Sequence, residues 1–169
     1  KQSIDPAELS ALLPTCDLVW TSFDCGQYLG HAAGLTIPEG CVHVTTSSYG
    51  TTGPYAGWRG GSMADWAAGG YLFITGDPDR EPLSGPEHLC AFAAGYTAAI
   101  GAEAALIDRI RSGTGRRVDV STMEAMLLPH QSTFSRTASG EPRQRTGGYT
   151  EVYPLTVQPC RDGHVSIGV

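Results

Sequence analysis

The sequence predicts an α/β fold: a parallel, Rossmann-like sheet with flanking helices. Three observations lead there. Short apolar or β-branched runs at residues 17–20, 41–49 and 116–121 read as buried strands. Helical stretches stand between them, the longest an Ala-rich run over residues 87–110. Glycine, at 22 of 169 residues, is abundant enough to serve many tight strand–helix turns. Strands that alternate with helices in this way argue for parallel pairing.

The elements follow in order. Residues 5–13 predict a short helix, with Asp5 as N-cap, Pro6 at the first helical position and Glu8 nearby. The strand at 17–20 runs into a turn at 21–26, at the carboxyl end where open α/β sheets place ligands. The next strand, CVHVTTSSY, carries His43; no partner His, Cys or Asp lies at metal spacing, so a core histidine is the expectation. Glycines and Pro54 make residues 50–56 a tight loop, and glycines frame a helix with the sequence SMADWAA. Asp77, Pro78 and Asp79 form a turn whose carboxylates are simply solvated.

The central helix opens at Pro86, Glu87 and His88. Small residues (Ala91, Ala94, Gly95, Ala98, Gly101, Ala102) recur through its middle. So many short side chains let other backbones approach, which predicts a helix enclosed on nearly every face. Gly113 and Gly115 end it with glycine C-cap chemistry, and an alternating strand follows. Ser121, with Glu124 three positions on, is placed as a capping box for the next helix. That helix, residues 123–135, has an apolar face of Met123, Met126, Leu127 and Phe134 and is broken or kinked at Pro129. Residues 140–145 are a polar loop, and 152–169 a hairpin around Arg161, Asp162 and Gly163.

The run from Arg109 through Gly113, Gly115, Val118, Asp119, Val120 and Ser121 to Glu124 and Ala125 resembles the central segment of the family III CoA-transferases. That group includes formyl-CoA transferase, carnitine CoA-transferase and α-methylacyl-CoA racemase. The loop Gly50-Thr51-Thr52-Gly53-Pro54-Tyr55-Ala56 matches a second family pattern, and the likeness extends over nearly the whole chain. It implies that residues 1–150 are a large-domain segment lacking its N-terminal part, and that 151–169 begin the connection to a small domain. It also implies an interlocked dimer, a CoA thioester as substrate with no tightly bound cofactor, and a carboxylic acid as acceptor.

The resemblance also implies site residues. Ser22 and Phe23 fall in a turn that contacts CoA in relatives, although Asp24 and Cys25 stand where Arg-Pro is common. A carboxylate there disfavours a phosphorylated nucleotide. Tyr49 aligns with a position facing CoA. Thr146, Gly147, Gly148 and Tyr149 match a glycine-rich loop over the catalytic residue, its amides able to meet an anion or the loop to serve as a hinge. That catalytic residue is an Asp four positions before the glycine aligned with Gly95. It attacks the acyl-CoA carbonyl, forming a mixed anhydride and then an aspartyl-CoA thioester. Here the position is Ala91. Cys90, Phe92 and Ala93 cannot replace it, and Glu87 lies a helical turn away.

Function therefore divides. The favoured reading is a family III CoA-transferase by descent whose nucleophile position is empty, so that the chain alone is inactive. One alternative is a non-catalytic CoA-binding or dimer-assembly domain of a fused or hetero-oligomeric enzyme. A racemase or lyase variant is disfavoured, because α-proton abstraction needs a positioned base and Gly61-Ser62 replaces the family's His-Asp pair. With 11 basic against 17 acidic side chains and no basic stripe, nucleic acid is not an expected partner. No apolar run reads as long enough to span a bilayer and no signal peptide opens the chain, so a cytoplasmic protein is the expectation. The five cysteines form no Cys-x-x-Cys pair and read as reduced core thiols, without zinc. Lys1 is not a start methionine and residues 164–169 read as an unfinished strand. The expectation is a piece of a longer parent chain, associating with its remainder or with a second copy.

Overall fold

The computed structural model describes residues 6–23, 36–86, 88–147 and 156–167. Helix α1 spans Pro6–Leu12 and passes into a 3-10 turn at Leu13–Thr15; the proposed cap, Asp5, lies outside the described residues. Strand β1 is Leu18–Phe23, running three residues past Trp20, where the sequence reading ended it. Strand β2 is Val42–Ser47. Two helices follow, α2 at Ser62–Ala68 and α3 at Tyr71–Ile74, and then the long α4 at Leu89–Ser112. Strand β3, Arg117–Ser121, leads directly into α5, Thr122–Leu127. Pro129 breaks the helix as its missing N–H demands: a 3-10 turn at Leu128–His130 separates α5 from α6, Gln131–Ala138. An antiparallel hairpin closes the described chain, β4 at Thr156–Cys160 and β5 at Gly163–Ile167.

The main sheet is parallel throughout, in the order β1-β2-β3. Its register stacks Leu18 beside Val42, and places Trp20, Val44 and Val118 in one row. The period of two turns this apolar set to one face, and α4 lies across it. Val42, Val44 and Val120 pack there with Ala98, Ala102 and Ala105 of the helix and with Ala125. The helix presents a narrow stripe of small residues, Cys90, Ala94, Ala98, Ala102 and Ala105, at the three- and four-residue spacing of one helical face. Gly101 lies over Val118 so closely that a Cβ there would stand 2.7 Å from the valine Cγ1.

The opposite side of α4 corrects the expectation of a fully enclosed helix. Phe92, Tyr96, Ile100, Ile107 and Ile110 are all exposed, Tyr96 at 71% and Ile110 at 83%. These residues again follow a spacing near four, so the apolar character is divided into a small face that packs and a large face that does not. By length and composition this 24-residue helix also suffices to cross a bilayer, contrary to the sequence reading. In this fold its small-residue face is a layer of the core.

The ends of α4 are fastened by local chemistry. Gly113 is left-handed at φ 73°, and its N–H donates to the Arg109 carbonyl, the geometry that favours glycine after a helix. Arg109 then reaches back, donating from Nη1 to Asp17 Oδ1 at 2.8 Å and from Nε to the Gly40 carbonyl. Gly115 passes against the backbone before β2: its N–H donates to the Glu39 carbonyl, and a Cβ would lie 2.1 Å from the Cys41 oxygen. These contacts join the helix terminus to the amino end of the sheet, leaving the carboxyl end free to build a site.

Candidate active site

Beyond the carboxyl ends of β1 and β2 lies a cavity of about 370 Å³. Trp20, Ser22 and Phe23 line it from β1, and Thr46, Ser47 and Ser48 from β2. Gly61, Ser62 and Asp65 contribute from the start of α2; Cys90, Ala91, Ala94 and Gly95 from α4; and Thr122 from α5. The position follows from the fold, since strands of a parallel sheet point their carboxyl ends at one edge and helices begin there.

The walls are tied together mainly by hydroxyl groups. Ser121 Oγ accepts from the Glu124 N–H at 3.3 Å and donates to the Ser48 carbonyl at 3.2 Å. The first of these is half of the expected capping box. Thr122 Oγ1 donates to the Ser47 carbonyl at 3.2 Å, and the Met123 N–H to the Ser48 carbonyl at 3.0 Å. The first turn of α5 thus pins the end of β2. Trp20 Nε1 donates to Thr46 Oγ1 at 3.2 Å, joining the two strands. The Cys90 thiol donates to the Ser62 carbonyl at 3.8 Å, bringing α2 against α4.

Cys90 sits beside Ala91 and is the sulfur nearest to a reactive role. Burial, followed by the Asp65 carboxylate, pushes its pKa up to about 11. A thiol so placed stays protonated at neutral pH and is a poor nucleophile. It therefore does not stand in for a carboxylate at position 91.

Asp65 is the residue that sequence reasoning missed. It is 6% exposed and lines the cavity from α2. Its only sequence signal was an acidic residue inside a short, glycine-framed, otherwise apolar helix. Gly60 belongs to the same corner, packed so tightly that a Cβ would overlap Ser48 Oγ.

The other expected site residues divide. Ser22 and Phe23 line the cavity, as the last strand residues of β1 and not as part of a turn. Tyr49 is not among the described lining residues; it forms an aromatic group with Tyr55 and Trp58, its ring 6.2 Å from each. The loop carrying that group is held to β3: Thr51 donates its N–H to Asp119 Oδ2 at 2.9 Å, and Arg117 Nη2 donates to Thr51 Oγ1. Gly147 is left-handed at φ 64°, and its N–H donates to the Gly76 carbonyl at 2.9 Å. That amide makes a loop–loop contact in this structure. Gly148, Asp24, Cys25 and Glu87 lie outside the described residues.

His43 is half-buried, with Nε2 2.9 Å from Thr21 Oγ1. Desolvation and then the Arg117 charge push its pKa down, consistent with a neutral histidine within the sheet. The Asp77 turn is a local one, Oδ1 accepting from the Asp79 N–H at 3.0 Å. Among the described residues no group of three His, Cys, Asp or Glu side chains is placed to hold a metal ion. Of the cysteines, Cys41 and Cys90 are buried, Cys16 is half-buried and Cys160 is exposed on the hairpin, so the reading of core thiols holds for only part of the set.

The sequence model of the CoA-transferase family III matches residues 2–169, and the chain belongs to that family. It is 33% identical over 163 residues to the succinyl-CoA–D-citramalate CoA-transferase of Chloroflexus aurantiacus, covering 93% of this chain and 40% of that protein. Against the succinate–glutarate CoA-transferase of Agrobacterium fabrum it is 28% identical, covering 76% of this chain and 32% of the relative. The crystal structure of a CAIB/BAIF family protein from Brucella suis superposes with a TM-score of 0.81 at 25% identity, over 94% of this chain and 43% of that one. The chain thus spans well under half the length of these relatives.

Proposed function

We propose that this chain is the CoA-thioester-binding part of a family III CoA-transferase in which the covalent step on α4 has been lost. One observation carries the reading: Ala91, at the position where the resemblance expects the nucleophilic Asp, lines the cavity at the sheet's carboxyl edge. The double displacement needs a side chain able to carry the acyl group and CoA in turn, and a methyl group does neither. The ligand is an acyl-CoA, with a carboxylic acid as acceptor wherever an intact nucleophile is supplied by another copy or by the rest of a parent chain. Residues 156–167 serve as the start of the connection to a small domain.

The test uses radiolabelled acyl-CoA and hydroxylamine. The natural chain is expected to give no trapped acyl group, whereas Ala91→Asp gains one on α4. A hydroxamate recovered from the natural chain, at Glu87 or elsewhere, would falsify the loss of the covalent step.

A second reading, an assembly domain, is supported by the exposed Phe92, Tyr96, Ile100, Ile107 and Ile110 on α4. Contiguous apolar surface of this kind marks an interaction face. Its partner is a second copy or the remainder of the parent chain.

A further inference from the structure

We propose that Ser47 donates a hydrogen bond from its Oγ to the thioester carbonyl of the bound acyl-CoA and so fixes the acyl end in the cavity. The inference deepens the CoA-thioester reading above and rests on it. Ser47 is the last residue of β2, is 8% exposed and lines the cavity. Its Oγ has no hydrogen-bond partner among the described residues. Buried hydroxyls are nearly always paired, so one left open at a cavity wall calls for a partner from outside the chain.

The sheet explains why no neighbour satisfies it. In the register Ser47 stands between Phe23 of β1 and Ser121 of β3. A phenylalanine ring has no polar hydrogen-bonding atom. Ser121 Oγ already donates to the Ser48 carbonyl and accepts from the Glu124 N–H. Next to Ser47 along the strand, Thr46 Oγ1 accepts from Trp20 Nε1. Bonds to the backbone also hold Ser47 in place. Its carbonyl accepts from Thr122 Oγ1, and that of Ser48 from both Ser121 Oγ and the Met123 N–H. The result is a donor fixed before any ligand arrives. A thioester oxygen accepts hydrogen bonds and cannot donate them, so the hydroxyl donates. Ala91, where the resemblance places attack on that carbonyl, lines the same cavity. With a carboxylate nucleophile such a bond would also polarise the carbonyl; beside the Ala91 methyl group it only binds and orients.

The test titrates the natural chain and Ser47→Ala calorimetrically with CoA, butyryl-CoA and S-butyl-CoA, a thioether in which a methylene replaces the carbonyl. Ser47→Ala should weaken butyryl-CoA about threefold to tenfold, the worth of one neutral hydrogen bond. It should change CoA and S-butyl-CoA by about twofold or less. Butyryl-CoA labelled with carbon-13 at the carbonyl should show its infrared stretch lowered on binding to the natural chain, and less so in Ser47→Ala. The infrared measurement on the natural chain needs no variant, so the proposal stays testable even if Ser47→Ala does not fold. An unshifted stretch in bound butyryl-CoA, or unchanged affinity in folded Ser47→Ala, overturns the bond and leaves the hydroxyl to water. Equal weakening of butyryl-CoA and S-butyl-CoA overturns the carbonyl as its partner while leaving CoA binding intact. If neither CoA nor any thioester binds, the underlying reading fails and the bond falls with it.

Discussion

Two adjacent side chains on α4 bear on the chemistry of the cavity: Ala91 offers only a methyl group, and Cys90, its neighbour, is a buried thiol. With its pKa near 11, Cys90 carries almost no thiolate at pH 7.5. Alkylation under native conditions, read by mass spectrometry, should label the exposed Cys160 quickly and Cys90 only on unfolding. Rapid native labelling of Cys90 would contradict its burial. The histidines give a pH dependence with a definite sign. His43 and His130 both have pKa values lowered from 6.5, each first by burial and then by a nearby arginine, Arg117 and Arg143 respectively. The folded state therefore resists protonation, while the unfolded chain takes up protons near 6.5. Stability is fully present above 6.5 and falls as the pH drops below it toward the folded-state values. Urea midpoints from pH 7.5 to 5 should show that loss, and His130→Gln should shrink it. His130 suits this test, because it is buried, its ring lies 3.8 Å from that of Tyr71, and its Nε2 has no partner among the described residues. Asp65 stayed hidden in the sequence because its importance comes from where α2 sits, and nothing local in SMADWAA reports that placement.

Elements whose limits depend on local chemistry were legible. The glycine after α4, Ser121 before α5 and the proline between α5 and α6 each act on their own few neighbours. The environment of α4 was legible only in part. Its small residues are visible in the sequence, but so are Phe92, Tyr96, Ile100, Ile107 and Ile110, which form a stripe of their own. Counting small side chains averaged over that division. The close face makes a firm prediction: Gly101→Val would press a branched side chain into Val118, where even a Cβ is too near. Overpacking of this kind costs about 1–3 kcal/mol, readable in chemical denaturation. Ile110→Ser, on the open face, should change stability by about 0.5 kcal/mol or less. If both substitutions cost the same, the two faces of α4 are not distinct in solution.

For the whole molecule, the parallel pairing of the strands was implicit in the alternation of elements, whereas which apolar side chains of α4 stand exposed was not. That surface predicts association. Sedimentation equilibrium over a concentration series should give a mass above the 17.8 kDa of one chain, and Tyr96→Lys combined with Ile100→Lys should lower it. A monomer at every concentration, with an unfolding midpoint independent of concentration, would set aside the assembly reading.

The pairing of His43 with Arg117 bears on how the chain reaches its fold. Between β2 and β3 lie α2, α3 and all of α4, so the sheet closes only by joining segments far apart along the chain. Loop closure of that length is entropically expensive, and contacts of high sequence separation are slow to form. Helix α4 needs only its own residues for its hydrogen bonds, yet β3 emerges after it during synthesis. Until β3 arrives, the small-residue face of α4 has only β1 and β2 to cover it, and one edge of β2 stands open. The interval before β3 pairs is when the nascent chain is most prone to wrong partners.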